Sequence, residues 1–306
     1  MKIFITGVTG YIGGSIASRL VEGGHTVIGL VRDIDKAQIL ANMGVVPLVG
    51  GLDDEALLYS AARDADCVIN AASSDHRGAV EAIIAGLSGS GKRFLHTSGS
   101  SVIADDAQGD RCSDLIFDED TPFIVPEEKR CRLAIDQLVC AAVDRGIRAT
   151  VLCNSMIYGQ GLGLQCESSQ IPLLAREARK LGAVHVIGRG LNCWSNVHIE
   201  DVVDLYLGAI ETAAPSGFYF VENGEASLIE IGVAIADRLA IPLSEDWNIE
   251  DASDHLGFSR AHYSLASNSR VNSSRARREL HWRPCHASVL DWIRNEMPVS
   301  ARARAS

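Results

Sequence analysis

The chain has 306 residues, of which 47% are apolar and 22% are charged, and this composition is typical of a globular protein with a large buried core. The formal net charge of −11 argues against a nucleic-acid partner, because phosphate binding requires a basic surface. The eight cysteines include no Cys-x-x-Cys pair, which indicates reduced thiols and no metal site. No apolar run approaches the roughly 18–20 residues that span a bilayer and no signal peptide is visible, so we expect a cytoplasmic protein with no membrane partner.

Short apolar runs alternate with helical stretches in the first half of the chain, which is the pattern of βαβ units around a parallel sheet. The predicted strands are residues 2–6, 26–32, 45–50, 67–72, 93–98 and 149–155. Between the first two strands, Ile12, Ile16 and Leu20 recur every four positions and predict a helix over 11–21. A second periodic helix is predicted over 131–146. Six strands with helical crossovers predict an α/β fold with a doubly wound parallel (Rossmann) sheet.

The second half of the chain is less regular. Residues 161–194 predict loops and a helix outside the main sheet, and a further strand is predicted at 218–223. We therefore expect a Rossmann domain at 1–160, to which 195–223 returns, and a small C-terminal substrate lobe formed mainly by 161–306.

The stretch TGVTGYIGG at 6–14 joins the first predicted strand to the first predicted helix. Gly7 permits a tight turn, Gly10 lets the backbone approach a pyrophosphate, and Gly13 lets the helix pack closely on the strand. The start of the helix then offers free N–H groups and the positive end of its dipole to phosphates. This combination of strand, glycine-rich turn and amphipathic helix predicts a dinucleotide site.

The Thr-Gly-x-x-Gly-x-x-Gly spacing resembles that of the short-chain dehydrogenase/reductase superfamily, in its extended and atypical branch of NAD-dependent epimerase/dehydratase type. His198 and Asp201 match the Val-His-Val-x-Asp signature of that branch, residues 158–159 match the segment after its sixth strand, and 274–284 match its C-terminal element. The resemblance runs over nearly the whole chain. It implies a nicotinamide cofactor and a small-molecule substrate, and a homodimer is a common assembly in this superfamily.

The resemblance places cofactor contacts on the glycine-rich loop, on the ends of several strands and on the helix of the catalytic motif. These residues are Thr6, Gly7, Thr9, Gly10, Tyr11, Ile12, Gly13, Arg32, Asp53, Ala71, Ala72, Ser73, Arg132, Asn154 and Ile157. NAD-specific members carry a carboxylate after the second strand, whereas Arg32 can pair with a 2′-phosphate, so we expect NADP(H). Two alternatives stay open: Asp33 could bind the ribose instead, and backbone atoms could replace Asp53 at the adenine.

The catalytic motif departs from the family pattern. Members of the superfamily use a tyrosine hydroxyl as proton donor, a lysine four residues later and a serine on the fifth strand. The helix sequence CRLAIDQLV aligns so that Glu128 stands at the tyrosine position and Arg132 at the lysine position. The serine position falls on Gly99, between Ser98 and Ser100. The predicted catalytic residues are therefore Glu128, Arg132, Ser98 and Ser100.

Three interpretations of this altered motif compete. The chain could be a reductase in which a desolvated Glu128 keeps its proton near neutral pH and replaces the tyrosine, because Arg132 is too basic to carry a proton. It could instead be a non-catalytic NADP(H)-binding redox sensor, similar to the NmrA type, that acts through a protein partner. A nucleotide-sugar epimerase or dehydratase is the third interpretation, and the loss of the tyrosine base counts most against it.

The polar and aromatic residues that the family places around its substrate favour the reductase. The predicted substrate residues are Ser101, Tyr158, Gln170, Trp194 and Asn196. A large ring such as Trp194 in the wall of a pocket would suit a small, apolar or aromatic carbonyl-type substrate, although the same ring could belong to the core. His198 is expected to be structural, tied to Asp201 at the start of a helix.

Overall fold

The computed structural model describes residues 1–211 and 215–299. In the first half of the chain, strands and helices alternate strictly. They are β1 (Lys2–Thr6), α1 (Tyr11–Glu22), β2 (Thr26–Val31), α2 (Ile34–Asn42), β3 (Val46–Val49), α3 (Glu55–Asp64), β4 (Cys67–Asn70), α4 (Arg77–Leu87), β5 (Arg93–Gly99), α5 (Arg130–Ala141) and β6 (Arg148–Asn154). Three short 3₁₀ turns, Ser100–Ile103, Glu127–Lys129 and Ala142–Arg145, lie around α5. The predicted helix 131–146 therefore ends its α-helical part at Ala141 and continues as a 3₁₀ turn.

The second half of the chain mixes short strands with helices. Its elements are β7 (Met156–Tyr158), α6 (Gln170–Leu181), β8 (Val184–Ile187), β9 (Cys193–His198), α7 (Ile199–Glu211), β10 (Gly217–Val221), β11 (Glu225–Ser227), α8 (Leu228–Leu239), β12 (Leu243–Trp247), α9 (Ile249–Leu256), α10 (Phe258–Arg260), α11 (Ser274–Glu279) and α12 (Val289–Asn295). A π-helical turn at Ala261–Leu265 follows α10. None of the described helices is both long enough and apolar enough to cross a membrane.

Seven parallel strands form the central sheet, in the order β3-β2-β1-β4-β5-β6-β10. The predicted doubly wound sheet is confirmed, and β10 adds a seventh strand to the six of the first half. The chain reverses its direction of winding between β1 and β4, so a crevice opens there at the carboxyl ends of the strands. This crevice is where the glycine-rich loop lies.

Apolar residues bury both faces of the central sheet. On one face, Ile16 and Leu20 of α1 pack with Tyr206 of α7, and on the other Leu58 of α3 packs with Ile83 of α4. The alternation of the strands explains the two layers, since neighbouring side chains of a strand point to opposite faces. Both faces are covered by helices, as parallel sheets require.

A separate apolar core lies in the C-terminal half of the chain. It gathers residues of α6, α8, α9 and α12 around a parallel pair of strands, β8 and β12. A three-stranded sheet of β7, β9 and β11 lies between this core and the central sheet. We call the part of the chain built on this second core the C-terminal lobe.

Candidate functional site

The turn between β1 and α1 admits no side chain at two of its glycines. A Cβ atom added to Gly7, whose φ is +75°, would lie 2.4 Å from the backbone oxygen of Ala71, and one added to Gly13 would lie 2.4 Å from the oxygen of Gly7. Gly10 is the N-cap of α1 and makes no side-chain cap, so the first N–H groups of the helix are open to an anion. This bare backbone concavity fits a dinucleotide pyrophosphate.

A cavity of about 460 Å³, which we call the small cavity, lies beside this loop. Several predicted cofactor and substrate residues line it, namely Tyr11, Ile12, Ala71, Asn154, Ile157 and Gln170. The buried hydroxyl of Ser155 also lines it and has no hydrogen-bond partner within the described part of the chain. An unsatisfied buried polar atom is costly, so this wall suits a ligand that supplies a polar group. The residues present therefore fit a nicotinamide nucleotide.

The other predicted cofactor residues lie around the carboxyl edge of the sheet. Thr6 is buried and its hydroxyl donates to Asn70 Oδ1. Thr9 is half-buried in the loop, and Ala72 and Ser73 are exposed just beyond β4. None of these three residues is part of the small-cavity wall.

Arg32 and Asp53 are both exposed near the end of β2 and the start of α3. Arg32 makes no hydrogen bond or ion pair with any other described residue, whereas the Asp53 carboxylate lies 3.1 Å from His76 Nε2. Asp33, the alternative ribose ligand, caps α2 by accepting hydrogen bonds from the N–H groups of Asp35 and Lys36. The guanidinium of Arg32 is therefore the group at this edge that is open to a ligand.

The guanidinium of Arg132 is held in place by two side chains. Its Nε and Nη2 atoms donate to the two carboxylate oxygens of Asp75 at 2.9 and 2.7 Å, and its Nη1 donates to Ser101 Oγ at 3.1 Å. The hydrogen bonds from Arg132 lower the pKa of Asp75. Burial alone would lower the pKa of Arg132, but its contact with the Asp75 carboxylate raises the pKa of Arg132 above its usual value. The lysine position thus carries a fixed, permanent cation.

Glu128 does not have the environment predicted for a proton donor. Its side chain is exposed rather than desolvated, and its Oε2 accepts a hydrogen bond from the Tyr263 hydroxyl at 2.5 Å. This hydrogen bond lowers the pKa of Glu128, so the carboxyl is ionised at neutral pH. The prediction that Glu128 keeps its proton is wrong, because the 3₁₀ turn at Glu127–Lys129 lies at the surface.

The hydroxyls of the two predicted catalytic serines are engaged within the protein, although Ser98 also lines the small cavity. The Ser98 hydroxyl donates to Asp136 Oδ2 at 2.7 Å, and the Ser100 hydroxyl is paired with Ser269 Oγ at 2.7 Å, with both serines buried. Burial raises the pKa of Asp136 to about 7. Asp136 follows Arg132 by four residues, and this helical spacing was the one sequence signal that could have identified it.

Three of the predicted substrate residues belong to the core. Tyr158 is fully buried and donates to the backbone oxygen of His286, Trp194 donates through its Nε1 to Ser267 O, and Asn196 is fully buried. The predictions for Tyr158 and Trp194 are wrong, because β7 and β9 turn these two side chains into the core of the C-terminal lobe. The side-chain amide of Asn196 is buried without a hydrogen-bond partner among the described residues, and its substrate contact stays a prediction. Gln170 lines the small cavity, and Ser101 contacts Arg132.

A larger cavity of about 860 Å³ lies between the segment after β5 and the segment around α10. Nine residues of its wall are apolar, namely Ile103, Ala104, Leu115, Phe117, Pro122, Phe123, Ile124, Pro126 and Phe258, and two carboxylates, Asp105 and Asp106, belong to the same wall. His262 and Tyr263 are part of the same wall, and so is Arg270, whose guanidinium is already paired with Glu225 at 2.7 and 2.8 Å. Ile124 is 93% exposed and marks an open rim. We call this space the large cavity, and sequence reasoning did not predict it.

The two cavities are consecutive along the chain. Gly99 belongs to the wall of the small cavity, and the 3₁₀ turn Ser100–Ile103 leads from it to Ile103 and Ala104 in the wall of the large one. The two cavity walls are therefore joined by this one short turn along the chain. Arg132, through its contact with Ser101, lies at the same turn.

The structure is similar to that of UDP-glucuronic acid 4-epimerase from Bacillus cereus, solved in complex with UDP-glucuronic acid and NAD. The TM-score is 0.75 over 96% of both chains, with 15% sequence identity, and this comparison shows the fold.

Two curated relatives are oxidoreductases by name. The chain is 34% identical to oxidase ucsJ from an Acremonium species, over 92% of each protein. It is 28% identical to 2-alkyl-3-oxoalkanoate reductase from Stenotrophomonas maltophilia, over 74% of this chain and 71% of that protein. The sequence model of the NAD dependent epimerase/dehydratase family matches residues 3–219. Since this match covers most of the chain, the protein belongs to the NAD dependent epimerase/dehydratase family.

Proposed function

We propose that the protein is an NADPH-dependent oxidoreductase that reduces a small, apolar or aromatic carbonyl compound. The observation that carries this proposal is the turn Ser100–Ile103. It follows the wall of the small cavity in the chain and leads into the wall of the large one, and its Ser101 contacts the fixed guanidinium of Arg132. A bound reduced nicotinamide would supply a hydride there. The names of the two curated relatives support an oxidoreductase over the sensor.

The open guanidinium of Arg32 supports NADPH over NADH. A guanidinium can bind a 2′-phosphate through two parallel charge-assisted hydrogen bonds, and such a contact is stronger than a neutral one. The carboxylate of Asp33 next to it caps α2 through Oδ1, so only its Oδ2 could bind a ribose hydroxyl.

The wall of the large cavity supports an uncharged, apolar substrate. Nine of its side chains are alanine, isoleucine, leucine, phenylalanine or proline, its arginine is paired with Glu225, and its two carboxylates, Asp105 and Asp106, would repel an anion. A nucleotide sugar would bring two phosphate charges into this space without a free arginine to meet them, so the epimerase interpretation loses further support.

Arg132 would hold the cofactor ribose and the Ser101 hydroxyl in place during the reaction. Its guanidinium stays charged at every physiological pH, so it can donate hydrogen bonds but cannot deliver a proton. The proton for the product hydroxyl must come from another group.

The first test is a titration of the purified protein with NADPH and with NADH. We expect NADPH to bind at least tenfold more tightly, and the variant Arg32→Ala to lose about 1.5–3 kcal/mol of NADPH affinity with no change for NADH. Arg63→Ala is the control, because Arg63 is an exposed arginine near the end of α3, at the opposite edge of the sheet. Equal affinities for the two nucleotides that Arg32→Ala leaves unchanged would rule out the NADPH preference.

The second test follows the loss of NADPH absorbance with a panel of aromatic aldehydes, aryl ketones and alkyl-bearing 3-oxo esters. Turnover of a member of this panel would establish the reductase. Tight NADPH binding without oxidation by any member would favour the redox sensor, and binding of nucleotide sugars in a thermal-shift assay would favour the epimerase.

A further inference from the structure

The C-terminal lobe brings a tyrosine hydroxyl into contact with Glu128, the residue that is predicted to match the family's catalytic tyrosine. Tyr263 lies in the π-helical turn Ala261–Leu265, and its hydroxyl is 2.5 Å from the carboxylate of Glu128, the residue that stands in the tyrosine position of the motif. Tyr263 is part of the wall of the large cavity. A molecule bound in that cavity would therefore touch this ring.

Several contacts fix the position of the Tyr263 ring. The ammonium group of Lys129 lies 5.2 Å from the ring centre, and the ring of Phe258 meets it edge to face at 5.9 Å. On either side along the chain, Ala261 and Leu265 are buried in the core of the lobe. π-Helical turns are rare and often occur at functional sites. The tyrosine is thus carried by an anchored segment and not by a loose loop.

The same segment also reaches the small cavity. Gln170 Nε2, on the wall of the small cavity, donates to the backbone oxygen of Ser264 at 3.5 Å. The residue next to Tyr263 is therefore linked to the space that fits the nicotinamide nucleotide, while Tyr263 itself faces the space that fits the substrate.

We propose that Tyr263 is the catalytic proton donor, a tyrosine that the C-terminal lobe supplies in place of the one missing at residue 128. This inference rests on the proposed carbonyl reduction. Glu128 and Lys129 are positioning residues, because they orient the phenol through a hydrogen bond and a cation–π contact.

The proton transfer balances without a further reactant. As the carbonyl carbon takes up the hydride, the π electron pair of its C=O bond moves onto the oxygen. The O–H bond of Tyr263 breaks, and its proton joins that oxygen to give the alcohol. The phenolate then takes a proton from water, which enters at the open rim around Ile124. Burial and the hydrogen bond to Glu128 raise the pKa of Tyr263 to about 12, so the phenol holds its proton until the oxyanion forms.

The test compares Tyr263→Phe with the wild type and with Tyr59→Phe, which removes a hydroxyl from an exposed tyrosine of α3 outside both cavity walls. We expect Tyr263→Phe to lower kcat by about 10²–10⁴-fold with unchanged NADPH affinity, and Tyr59→Phe to behave like the wild type. A wild-type kcat in Tyr263→Phe would overturn the assignment and leave the carbonyl reduction itself intact.

A second measurement does not depend on turnover. The probe is para-dimethylaminocinnamaldehyde, whose absorption shifts to longer wavelength when its carbonyl oxygen accepts a hydrogen bond. We expect this shift when the probe binds the wild-type protein, and expect it to disappear in Tyr263→Phe while the probe still binds. Three outcomes would overturn the role of Tyr263, whatever the enzyme does with other carbonyls. The absorption shift could survive in Tyr263→Phe, the probe could bind the wild type without a shift, or it could fail to bind.

Spectrophotometric titration of the phenol tests the contact with Glu128. Glu128→Gln keeps a hydrogen-bond acceptor but removes the charge, so we expect Tyr263 to ionise at a lower pH than in the wild type. The step is assigned to Tyr263 by its absence in Tyr263→Phe. An unchanged titration in Glu128→Gln would show that the two side chains are not in contact, and would overturn the arrangement on which the assignment stands.

Discussion

Arg132 makes contacts that a lysine of the same charge could not make. A lysine ammonium is a point charge, whereas the guanidinium of Arg132 binds both oxygens of Asp75 and still has a donor left for Ser101. The arginine therefore ties the segment after β4 to the 3₁₀ turn after β5. Arg132 therefore has a structural role that a lysine could not fill in the same geometry.

Arg132→Lys tests this role. A lysine keeps the charge but cannot span the two oxygens of Asp75 and reach Ser101 together, so we expect NADPH affinity to fall by about 1–2 kcal/mol through loss of a charge-assisted hydrogen bond. Arg130→Lys is the matched control, since Arg130 is exposed on the same helix and its ion pair with Glu127 is long, at 3.9 Å. Fluorescence titration with NADPH measures both. Equal affinity of Arg132→Lys and the wild type would show that charge alone matters at this position.

Asp136 makes the stability of the fold depend on pH. Its pKa is raised to about 7 in the folded protein, above the value of a free aspartate, so the folded state binds more protons than the unfolded chain between about pH 4 and pH 7. The free energy of unfolding should therefore fall as the pH rises through this window and stay low above it. His96 Nε2 lies 3.6 Å from Asp136 Oδ1, and burial lowers the pKa of His96 to about 4. Below the pKa of an unfolded histidine, His96 therefore makes the free energy of unfolding rise with pH, which opposes the effect of Asp136.

Asp136→Asn isolates the contribution of the carboxyl, because an amide can still accept the hydrogen bond of Ser98. We expect the variant to be more stable than the wild type by on the order of 1–3 kcal/mol at pH 8, with the difference shrinking toward pH 4. Urea unfolding at a series of pH values provides the measurement. Asp144→Asn, at an exposed position of the 3₁₀ turn after α5, should show no such trend. A difference between Asp136→Asn and the wild type that is independent of pH would mean that Asp136 is already ionised in the folded protein.

The close packing of the turn between β1 and α1 leaves no room for a side chain at Gly7. A comparison with Gly24 separates the cost of a steric clash from the cost of a left-handed backbone. Gly7 and Gly24 have nearly the same φ, +75° and +76°, but a Cβ at Gly24 would meet nothing within 4 Å. Gly24→Ala should therefore cost only about 1 kcal/mol for the left-handed backbone. Gly7→Ala adds a clash with the backbone of Ala71.

We expect Gly7→Ala to destabilise the protein by at least about 2 kcal/mol more than Gly24→Ala, and to abolish nucleotide binding if it folds. Urea unfolding gives the stabilities, and NADPH titration gives the affinity. Similar costs for the two variants would show that the loop can move away from Ala71, and the close packing of the turn would then not be essential.

The elements that the sequence predicted correctly are those whose signal is local. The strands of the central sheet were placed within about two residues, because short runs of β-branched residues and the glycine turns between them are read from neighbouring positions. The glycine-rich loop was recognised in the same way. The burial of Tyr158 and Trp194 in the core could not be predicted, because an aromatic residue on a strand gives the same sequence pattern whether its side chain faces a cavity or a core.

Contacts between distant segments were also beyond the sequence. Tyr263 and Glu128 are 135 positions apart, and no periodicity links them. The exposure of Glu128 depends on how the segment after β5 folds around the large cavity. The irregular sequence of residues 104–128 has no periodicity from which this conformation could be predicted. The sequence of the motif region therefore predicted no tyrosine proton donor and could not predict the contact between Glu128 and Tyr263.

At the scale of the whole molecule, the start of α7 joins the central sheet to the C-terminal segment. The carboxylate of Asp201 is buried and accepts hydrogen bonds from the backbone N–H groups of Cys285 and His286, at 2.9 and 3.0 Å. The ring of His198 stacks on that of His286 with 3.9 Å between their centres, and its Nδ1 accepts from the N–H of Glu200. Within this signature, Asp201 binds the C-terminal segment and His198 caps α7.

This arrangement predicts that the residues of the Val-His-x-x-Asp signature stabilise the packing of the C-terminal lobe against the central sheet and take no part in catalysis. Asp201→Ala leaves two backbone donors without partners, so we expect it to cost about 2–4 kcal/mol of unfolding free energy. Asp201→Asn keeps an acceptor and should cost less, and Asp204→Ala, at an exposed carboxylate one turn along the same helix, should cost little. Because the segment of His286 leads into α12, which packs in the C-terminal lobe, Asp201→Ala should loosen that lobe before the central sheet. Three of the four tryptophans, Trp194, Trp247 and Trp292, pack in the lobe, and Trp282 packs in the core of the central sheet. Most of the change in tryptophan fluorescence should therefore occur at a lower urea concentration than the change in far-ultraviolet circular dichroism, which reports on the whole chain. Coincident transitions in Asp201→Ala, at the wild-type midpoint, would instead place the junction between the lobes elsewhere.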